Sequence, residues 1–501
     1  MEILNNLFFG LQIAATWHNL GFCLLGVTLG TLIGVLPGVG PLATFSILLP
    51  ISFHLPPAGA MIMLAGVYYG AQYGGSITSI LVNIPGEAST VVTCLDGHQM
   101  ALQGRAGAAL ACAALASLFA GCVVTVLIAV AGPPLVSVAL LFGPEEYVAL
   151  LTVGLVSAVL LSGGSVSKGL AMVLVGILLS LVGTDINSGV ERFTFGSFEL
   201  SDGIGFTAVS IGLFGIAEIA SSLETSQGRG RQIERLSRLW PEWNDFKQSW
   251  APVLRGTALG SFLGILPGGG ATIASFGSYS LEKKLSRTPE RFGHGAIQGV
   301  AGPEAANNAA AQANFIPMLS LGIPPNALMA LMMGAMITHG IAPGPEVMSR
   351  QPELFWGLIA SMWIGNVFLV LLNLPLIGLW VSLLRIRYIY LFPGILVLAA
   401  IGAFAESNSS FQVYLLTFFV VVGYGLKKLD FPLAPLLLGL VLGKQLEEQL
   451  RRALLLSDGD WFTFLRHPIS LGLLVLAAVV AILVALPTLR RTRDAVLKAE
   501  D

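Results

Sequence analysis

The sequence predicts an all-α, polytopic membrane protein of about a dozen spans, with two repeats of inverted topology that contain Gly- and Pro-broken re-entrant hairpins. Three observations support this fold class. Of the 501 residues, 55% are hydrophobic and 11% are charged, whereas a soluble domain carries about 25% charged residues. Apolar stretches long enough to cross a bilayer recur along the chain. One Gly- and Pro-rich motif occurs twice, once in each half.

The repeated motif is a run of small residues that ends at Leu-Pro-Gly and continues into Gly-rich backbone. The first copy contains Gly30, Gly34, Leu36, Pro37, Gly38 and Gly40, and the second repeats this spacing with Gly260, Gly264, Leu266, Pro267, Gly268 and Gly270. Each copy predicts a helix with a small-residue face that breaks at the proline. A second proline break follows in each half, at residues 83–86 and 322–325. Paired interruptions of this kind point to a transporter substrate site.

Continuous apolar stretches predict spanning helices, and shorter or broken ones predict half-helices or re-entrant hairpins. The continuous stretches are 20–37, 106–131, 146–162, 168–183, 204–220, 355–384 (a kinked helix or a helix pair), 391–405, 411–426 and 468–487. The broken stretches are 42–53, 57–70, 76–84, 253–267, 271–281, 305–321 and 326–338. Irregular backbone at membrane depth is tolerated only inside protein or beside a cavity. We therefore expect the broken segments in the interior and the continuous helices against lipid.

Basic residues predict the division of the chain and its orientation. Residues 1–220 form the first repeat, 221–252 a basic cytoplasmic linker, 253–467 the second repeat, and 468–501 a final helix with a basic cytoplasmic tail. The linker and the tail are assigned to the cytoplasm by the positive-inside rule. The stretch before the first helix has no Lys or Arg and is expected outside, so the two Leu-Pro-Gly helices enter from opposite sides. Residues 185–203 form either a structured external loop or a linker.

A polar tract in the second half places Glu304, Asn307, Asn308 and Gln312 among small residues. Glu304, Asn308 and Gln312 are spaced i, i+4, i+8, which is one helix face, and Pro303 suits the first turn of that helix. An acidic side chain at the centre of a membrane helix costs about 2.5–3.5 kcal/mol on insertion scales. The tract predicts a polar wall of a substrate or ion cavity, with Glu304 as the candidate ion-coupling carboxylate. The alternatives are a helix interface held by amides, or a Glu304 near the membrane surface.

The first half offers hydroxyls and amides in a comparable position. The candidate substrate-binding side chains are Ser76, Thr78, Ser79 and Asn83, together with Asn307, Asn308 and Gln312 from the second half. The backbone at Gly38, Gly40, Gly268 and Gly270 is expected to supply N–H groups or carbonyls, and the carbonyls suit Na⁺. We assign no metal and no cofactor, and these glycines are the candidate backbone site if Na⁺ rather than H⁺ is the coupling ion.

The sequence lacks the motifs that are typical of several classes of enzyme. The sequence has no Gly-x4-Gly-Lys-Ser/Thr, His-Glu-x-x-His or Gly-x-Ser-x-Gly motif, so it does not predict an ATPase or an enzyme of these types. Asp96-Gly-His98 is expected in a loop, and no basic patch for nucleic acid is present. Two alternatives to a transporter stay open. These are a channel or pore, and an intramembrane enzyme whose catalytic pair the sequence does not identify.

The chain resembles the large membrane subunit of the bacterial tripartite tricarboxylate transporters. The matching stretches are Gly34–Gly40, Tyr73–Gly86, Arg192–Gly196, Gly264–Gly270, Pro303–Ala309 and Leu321–Pro324. The Pro-Glu-Ala-Ala-Asn-Asn tract is specific to that family, whereas the separate Gly/Pro motifs are not. One departure is Pro325, where a Gly or Ser would be more familiar. A proline there removes a backbone donor and stiffens the hairpin tip.

The resemblance implies a secondary transporter of the bacterial inner membrane rather than an enzyme. Its expected partners are a small membrane subunit, a periplasmic solute-binding protein and membrane lipid. The expected substrates are tricarboxylates such as citrate or related carboxylates, imported by symport with Na⁺ or H⁺ rather than by ATP hydrolysis. Specificity in the family lies largely with the binding protein.

Overall fold

The computed structural model describes residues 2–36, 41–161, 165–185, 188–217, 220, 240–266, 270–383, 388–407 and 409–485. Helices make up nearly all of the regular structure in these ranges. One two-stranded antiparallel ribbon, β1 (Gly183–Thr184) with β2 (Glu191–Arg192), pairs Gly183 with Arg192. The prediction of an all-α membrane protein is confirmed.

The helices of the first half run up to the linker. They are α1 (Glu2–Ala14), α2 (Trp17–Gly34), α3 (Pro41–Ser52), α4 (Pro57–Val82), α5 (Val91–Thr93), α6 (Ala106–Ala139), α7 (Pro144–Leu161), α8 (Val166–Ser180) and α9 (Phe206–Ser210). Short 3₁₀-helices cover Ala88–Thr90 and Phe198–Leu200. Wider π-helical turns cover Cys94–His98, Ala101–Arg105 and Ile211–Ile216. Asp96 lies in the first of these turns, so the prediction of a loop at residues 96–98 was wrong.

The second half begins inside the predicted linker. Its helices are α10 (Trp243–Ile265), α11 (Gly270–Leu285), α12 (Gln298–Ala313), α13 (Phe315–Leu321), α14 (Ala327–Thr338), α15 (Glu346–Arg350), α16 (Pro352–Asn373), α17 (Ile377–Leu383), α18 (Tyr388–Ser407), α19 (Ser410–Lys428), α20 (Leu433–Leu456), α21 (Thr463–Arg466) and α22 (Pro468–Ala485). A 3₁₀-helix covers Pro289–Arg291. The long apolar stretch 355–384 is a helix pair, α16 and α17.

Four helices in the described ranges are long and apolar enough to cross a bilayer: Trp17–Gly34, Ala101–Ala139, Pro352–Asn373 and Ser410–Lys428. Shorter apolar helices include Pro41–Ser52, Val166–Ser180 and Ala327–Thr338. These lengths fit a membrane protein that combines full spans with half-helices. A total of about a dozen spans stays a prediction.

The structure corrects several element boundaries. Residues 57–70 and 76–84 belong to one 26-residue helix, α4. Helices α1 and α20 were not predicted, because α1 is short and the second half of α20 is polar. Pro303 lies well inside α12 rather than in its first turn. Helix α4 stays continuous through its glycines because it packs tightly on α2, and packing outweighs the low helix propensity of glycine.

Both small-residue helices pack backbone against backbone. A Cβ added to Gly26, Gly30 or Gly34 of α2 would lie 2.1, 2.3 or 2.4 Å from the carbonyl oxygens of Met63, Val67 and Ala71 in α4. A Cβ on Gly256, Gly260 or Gly264 of α10 would lie 2.2, 2.2 or 2.5 Å from those of Gly302, Ala306 and Ala310 in α12. These distances leave no room for any side chain but hydrogen. The glycine repeat is therefore a packing requirement in both halves.

Only some of the interrupted segments lie in the interior, since α10 and α11, which contain the predicted segments 253–267 and 271–281, are buried along less than half of their residues. Helices α4, α12, α13 and α14 are buried along nearly their whole length. Among the continuous helices, α19 is 22% buried, as expected of a lipid-facing helix, but α16 is 67% buried. Helix α16 packs against α1, α2, α4 and α6. The expectation that continuous helices face lipid was thus wrong for α16.

We predict that Gly30→Ala destabilises the protein by about 1–3 kcal/mol, because the new Cβ overlaps the Val67 carbonyl. Gly21→Ala in the same helix is the matched control, since a Cβ there has nothing within 4 Å. It should be neutral or stabilising by up to about 1 kcal/mol. Thermal unfolding of both variants in detergent micelles, followed by circular dichroism, measures the difference. Equal unfolding temperatures would contradict the backbone contact.

Candidate functional site

The first proline break forms a tight hairpin tip against α4. Helix α4 ends at Asn83, which has left-handed backbone (φ 54°) and an exposed side chain. The chain then turns back so that a Cβ on Gly86 would lie 2.3 Å from the Gly75 Cα. Gly75 and Gly86 are thus needed for close approach of two backbone segments, which positions Glu87 directly after the turn.

The second proline break is capped by a side chain. Helix α13 ends at Gly322 in left-handed backbone (φ 71°). Asn326 begins α14, and its Oδ1 accepts a hydrogen bond from the Met329 N–H at 2.9 Å. This cap satisfies a helix-terminal donor without a backbone N–H at Pro325. The second hairpin tip can therefore be ordered with Pro325 at the position where the family more often has Gly or Ser.

Glu304 is held by hydroxyls from the first half of the chain. The Ser76 Oγ donates to Glu304 Oε2 at 2.8 Å, and the Thr93 Oγ1 donates to Glu304 Oε1. The Glu304 side chain is 1% exposed and therefore lies inside the protein, while its depth in the membrane stays a prediction. A cavity of about 20 Å³, lined by Tyr73, Ser76 and Asn373 among others, adjoins it. A volume of this size holds about one water molecule.

A second carboxylate, Glu87, links the two hairpin regions. The Asn307 Nδ2 donates to Glu87 Oε1 at 3.1 Å, and the Ser89 Oγ donates to the same oxygen at 2.6 Å. Sequence reasoning did not select Glu87. The signal was present, because Glu87 is the first acidic residue after Glu2 and directly follows a Pro-Gly break.

Polar side chains of α4 and α12 extend this contact. The Asn314 Nδ2, directly after α12, donates to the Tyr68 hydroxyl at 3.2 Å. Tyr68, Gln72 and Ser76 are spaced i, i+4, i+8 on α4, which is a polar stripe that the sequence already contained. We call Tyr68, Gln72, Ser76, Glu87, Glu304, Asn307 and Asn314 the central polar seam.

Asn308 and Gln312 face a different neighbour. The Asn308 Nδ2 donates to Ser117 Oγ at 2.6 Å, and the Thr125 Oγ1 donates to Gln312 Oε1 at 3.2 Å. Both partners belong to α6. For these two residues the alternative of a helix interface held by amides fits the structure better than a cavity wall. Glu304 faces α4 and α5 instead.

The other candidate residues are distributed more widely. Thr78 and Ser79 both donate to the Gly75 carbonyl of their own helix, at 2.8 and 2.9 Å. Gly270 is the first residue of α11, and a Cβ there would lie 3.0 Å from the Leu263 carbonyl oxygen. Gly38, Gly40 and Gly268 lie outside the described residues. The structure thus brings Ser76, Glu304 and Asn307 into the central polar seam.

A family model described as the tripartite tricarboxylate transporter TctA family matches residues 20–438. The chain belongs to the TctA family. An uncharacterised 52.8 kDa protein of the TAR-I ttuC' 3' region in Agrobacterium vitis is 54% identical over 501 residues, which cover both chains completely. An uncharacterised protein of the TAR-II ttuC' 3' region in the same organism is 57% identical over 242 residues, 48% of this chain and all of that relative. No solved structure matches the chain.

Membership of the TctA family makes the chain a membrane-embedded component of a tripartite tricarboxylate transporter. The predicted resemblance is confirmed. Other subunits are implied by the tripartite family, and the site described above is the polar interior of such a component.

A buried aspartate joins the two halves of the TctA-family chain away from the hairpin tips. Asp96 Oδ1 accepts hydrogen bonds from the backbone N–H groups of Gly293, Gly295 and Ala296, at 2.9, 2.8 and 2.8 Å. Hydrogen bonds from N–H donors to a carboxylate are stronger than those between neutral groups. The turn after the first hairpin is therefore fixed to the start of α12.

The loop between α8 and α9 is structured in its described residues, whereas its external position stays a prediction. Arg192 donates to both oxygens of Glu447 at 2.6 and 3.2 Å, and Arg451 donates to those of Asp185 at 3.2 and 2.9 Å. Hydrogen bonding to Glu447 raises the pKa of the Arg192 guanidinium. These pairs hold the β-ribbon against α20.

Among the described residues, one cluster of acidic and histidine side chains could hold a metal ion. The ligand atoms of Glu145, Glu146 and His467 lie within 4.8 Å of one another. Glu146 accepts from the Gly143 N–H at 2.8 Å and contacts His467 Nδ1 at 3.1 Å. Acidic side chains at the start of α7 stabilise its N-terminus, which accounts for both glutamates. We assign no metal to this group.

We predict that Thr93→Val destabilises the TctA-family chain by about 1–3 kcal/mol, because one oxygen of buried Glu304 loses its donor. Thr78→Val is the matched control. Thr78 is equally buried, but its hydroxyl bonds only the Gly75 carbonyl of its own helix. The control should change stability by less than about 1 kcal/mol. Chemical unfolding in mixed micelles measures both, and an equal effect would show that Thr93 does not support Glu304.

Proposed function

We propose that this chain is the large membrane subunit of a binding-protein-dependent secondary transporter that imports tricarboxylates or related carboxylates by symport with Na⁺ or H⁺. It acts as a transporter and carries out no covalent chemistry. The proposal is supported mainly by the central polar seam, in which Glu87 follows the first proline break and Glu304 is buried in the middle of α12. Intramembrane carboxylates facing the bundle interior mark substrate and ion pathways.

The seam suits an anionic substrate that binds together with a cation. Helices α4, α12 and α13 and both hairpin tips contain no Lys or Arg. A carboxylate substrate would then be held by amides, hydroxyls, helix N-terminal N–H groups and the co-bound cation. We propose Asn83, whose side chain is exposed, and Asn307 as substrate contacts, with the Nδ2 groups of both amides as donors to the carboxylate. The N-terminus of α11 at Gly270, with Gly38, Gly40 and Gly268, remains part of this proposal.

Alternating access would follow from two repeats of inverted topology, residues 1–220 and 253–467, with a basic cytoplasmic linker at 221–252 and a final helix and tail at 468–501. The matching contacts of α2 with α4 and of α10 with α12 support this repeat, because each uses glycines spaced by four before a Leu-Pro-Gly break. The part that carries the hairpins would move against the surrounding helices.

We further propose that the protein lies in the bacterial inner membrane with a small membrane subunit and meets its binding protein on the periplasmic face. Lys427 and Lys428 at the end of α19 mark the cytoplasmic side. Helix α20 starts close by at Leu433, and Arg451 is about 27 Å further along it. We therefore propose that the β-ribbon held by Arg451 lies at the opposite membrane surface.

The β-ribbon carries an exposed aromatic surface formed by Phe193, Phe195 and Phe198. Phe195 and Phe198 are 91% and 87% exposed. Phe193 and Phe195 have left-handed backbone, with φ of 54° and 51°, which is uncommon for bulky residues. Strained backbone persists only where its surroundings hold it, as the Arg192–Glu447 pair does here. These features support the ribbon as the docking surface for the binding protein.

We predict saturable uptake of labelled citrate or another carboxylate into proteoliposomes that contain this chain with its small membrane partner and binding protein. Uptake should depend on an imposed Na⁺ or pH gradient, because the seam would bind the substrate together with a cation. The two gradients are applied separately to identify the ion.

Liposomes without the binding protein provide the control and should show little uptake. Uptake that does not saturate and does not respond to either gradient would favour a channel. Absence of uptake under every gradient, with all three components folded, would contradict the transporter proposal.

We predict that Phe195→Ser combined with Phe198→Ser weakens the binding protein's affinity for the membrane complex while leaving the unfolding temperature unchanged. Phe418→Ser is the matched control, because Phe418 is an exposed phenylalanine on α19, far from the ribbon in sequence. Titration of the fluorescently labelled binding protein onto the reconstituted complex measures affinity. Unchanged affinity in the double variant would place these rings in the lipid interface instead.

A further inference from the structure

Two adjoining cavities lie between helix α20 and the β-ribbon, away from the central polar seam. The larger has a volume of about 410 Å³ and is lined by α20, the ends of α8 and α14, and the segment that leads into α9. The smaller, of about 190 Å³, is lined by α20 and the β-ribbon. Ser180, Lys444 and Glu448 line both cavities. The larger volume lies within the range of about 300–1,000 Å³ that is typical of sites for small molecules.

The charged side chains that line the two cavities leave one positive charge unpaired. Four basic side chains and three carboxylates line them. Each arginine binds a carboxylate, in the pairs Arg192–Glu447, Arg451–Asp185 and Arg452–Glu448. Among the residues that the structure describes, no carboxylate forms an ion pair with Lys444. The surplus positive charge therefore belongs to Lys444, which both cavities share.

Lys444 lies well within α20 rather than at its end. The Lys168 Nζ donates to the Leu429 carbonyl at 2.6 Å, which places the start of α8 beside the turn before α20. Lys444 is about 17 Å along α20 from Leu433, within a hydrocarbon core of about 30 Å. An ionised lysine at such a depth faces a water-filled cavity or an opposite charge rather than lipid. The two cavities provide the first, and a bound anion would provide the second.

Helix α14 connects the larger cavity with the second hairpin tip. Asn326 caps the helix at the tip, and Thr338, its last residue, lines the cavity. The 12-residue helix is about 18 Å long. Arg192 lines the smaller cavity and directly precedes Phe193 of the exposed aromatic surface. The cavities thus adjoin both the proposed docking surface and the helix that begins at the hairpin tip.

We propose that the two cavities form an entry site for a di- or tricarboxylate, in which the Lys444 Nζ binds one carboxylate group before the substrate reaches the central polar seam. This inference rests on the proposed carboxylate import and gives the substrate the cationic partner that the seam lacks. The Gln445 amide also lines the larger cavity and supplies a further donor. A cleft with surplus positive charge raises the local concentration of anions.

Glu448 allows the role of charge to be tested in the opposite direction. Its carboxylate lines both cavities and repels an anion. Because the Arg452–Glu448 pair is exposed, Glu448→Gln should not unfold the protein. The change raises the net charge of the cavities by one. We therefore expect Lys444→Met to weaken carboxylate binding and Glu448→Gln to strengthen it.

The experiment measures carboxylate binding at the larger cavity in the purified full-length chain in detergent, without the binding protein. Thr338→Cys introduces a thiol into the cavity wall, where the native residue is exposed. Its labelling rate with a methanethiosulfonate reagent is followed as citrate, malate or succinate replaces chloride at constant ionic strength. The four native cysteines are buried or half-buried, and the wild type measures their background labelling.

At least one of the three carboxylates should slow the labelling of Thr338→Cys saturably. Adding Lys444→Met should raise the half-protecting concentration at least about tenfold, because a charge-assisted bond is lost. Adding Lys444→Arg should keep it within about threefold, since the charge remains. Adding Glu448→Gln should lower it. Lys284→Met is the matched control and should change nothing, because Lys284 is an exposed lysine of α11 that lines neither cavity.

Equal protection with and without Lys444→Met would overturn the entry site, as would absence of protection by every carboxylate. If Lys444→Met does not fold, Glu448→Gln decides, and unchanged or weaker protection would overturn the site. Protection by added phosphatidylglycerol but by no carboxylate would assign the cavities to a lipid headgroup instead. Carboxylate uptake without protection would contradict this inference alone. Protection without uptake under any gradient would support the entry site and contradict the proposed function.

Discussion

Backbone groups that leave a helix inside a bilayer must find partners within the protein, because lipid offers none. This constraint explains why the two hairpin tips lie against the interior helices. At the first tip the Gly86 backbone packs against the Gly75 backbone, and at the second tip the Asn326 side chain caps the N-terminus of α14. The second tip is buried, whereas Asn83 of the first tip is exposed, and the polar side chains of the helices between them, such as Glu304 and Asn307, are buried. The central polar seam follows from this arrangement.

Close backbone packing makes room for the seam. Glycines of α2 and α10 bring α4 and α12 near to their neighbours, and the opposite faces of α4 and α12 carry the polar residues. The contact between the halves then consists of specific hydrogen bonds, such as Ser76 to Glu304 and Asn307 to Glu87. Asp96 adds three backbone N–H groups from the other half.

Much of the architecture could be predicted from local pattern. The apolar stretches, the proline breaks and the spacing of small residues gave the positions of most helices, because each depends on nearby residues only. The prediction wrongly divided helix α4 into two segments, because its glycines lower the local helix propensity. In the structure the same glycines pack closely on α2, and this packing stabilises one continuous helix. Helix α20 was missed, since its polar second half lowers its hydropathy and its partners, Asp185 and Arg192, are distant in sequence.

The sequence by itself determined the membrane class, the family, the positions of the two proline breaks and the choice of Glu304 and Asn307 as candidates, since composition and short motifs carry that information. Only the tertiary structure decided which polar residues meet. Asn308 and Gln312 share a helix with Glu304 and Asn307, yet they bond α6. Glu87 joins the seam although it lies 220 residues from its partner Asn307. Contacts over such separations depend on how helices pack, and no local pattern of residues encodes that packing.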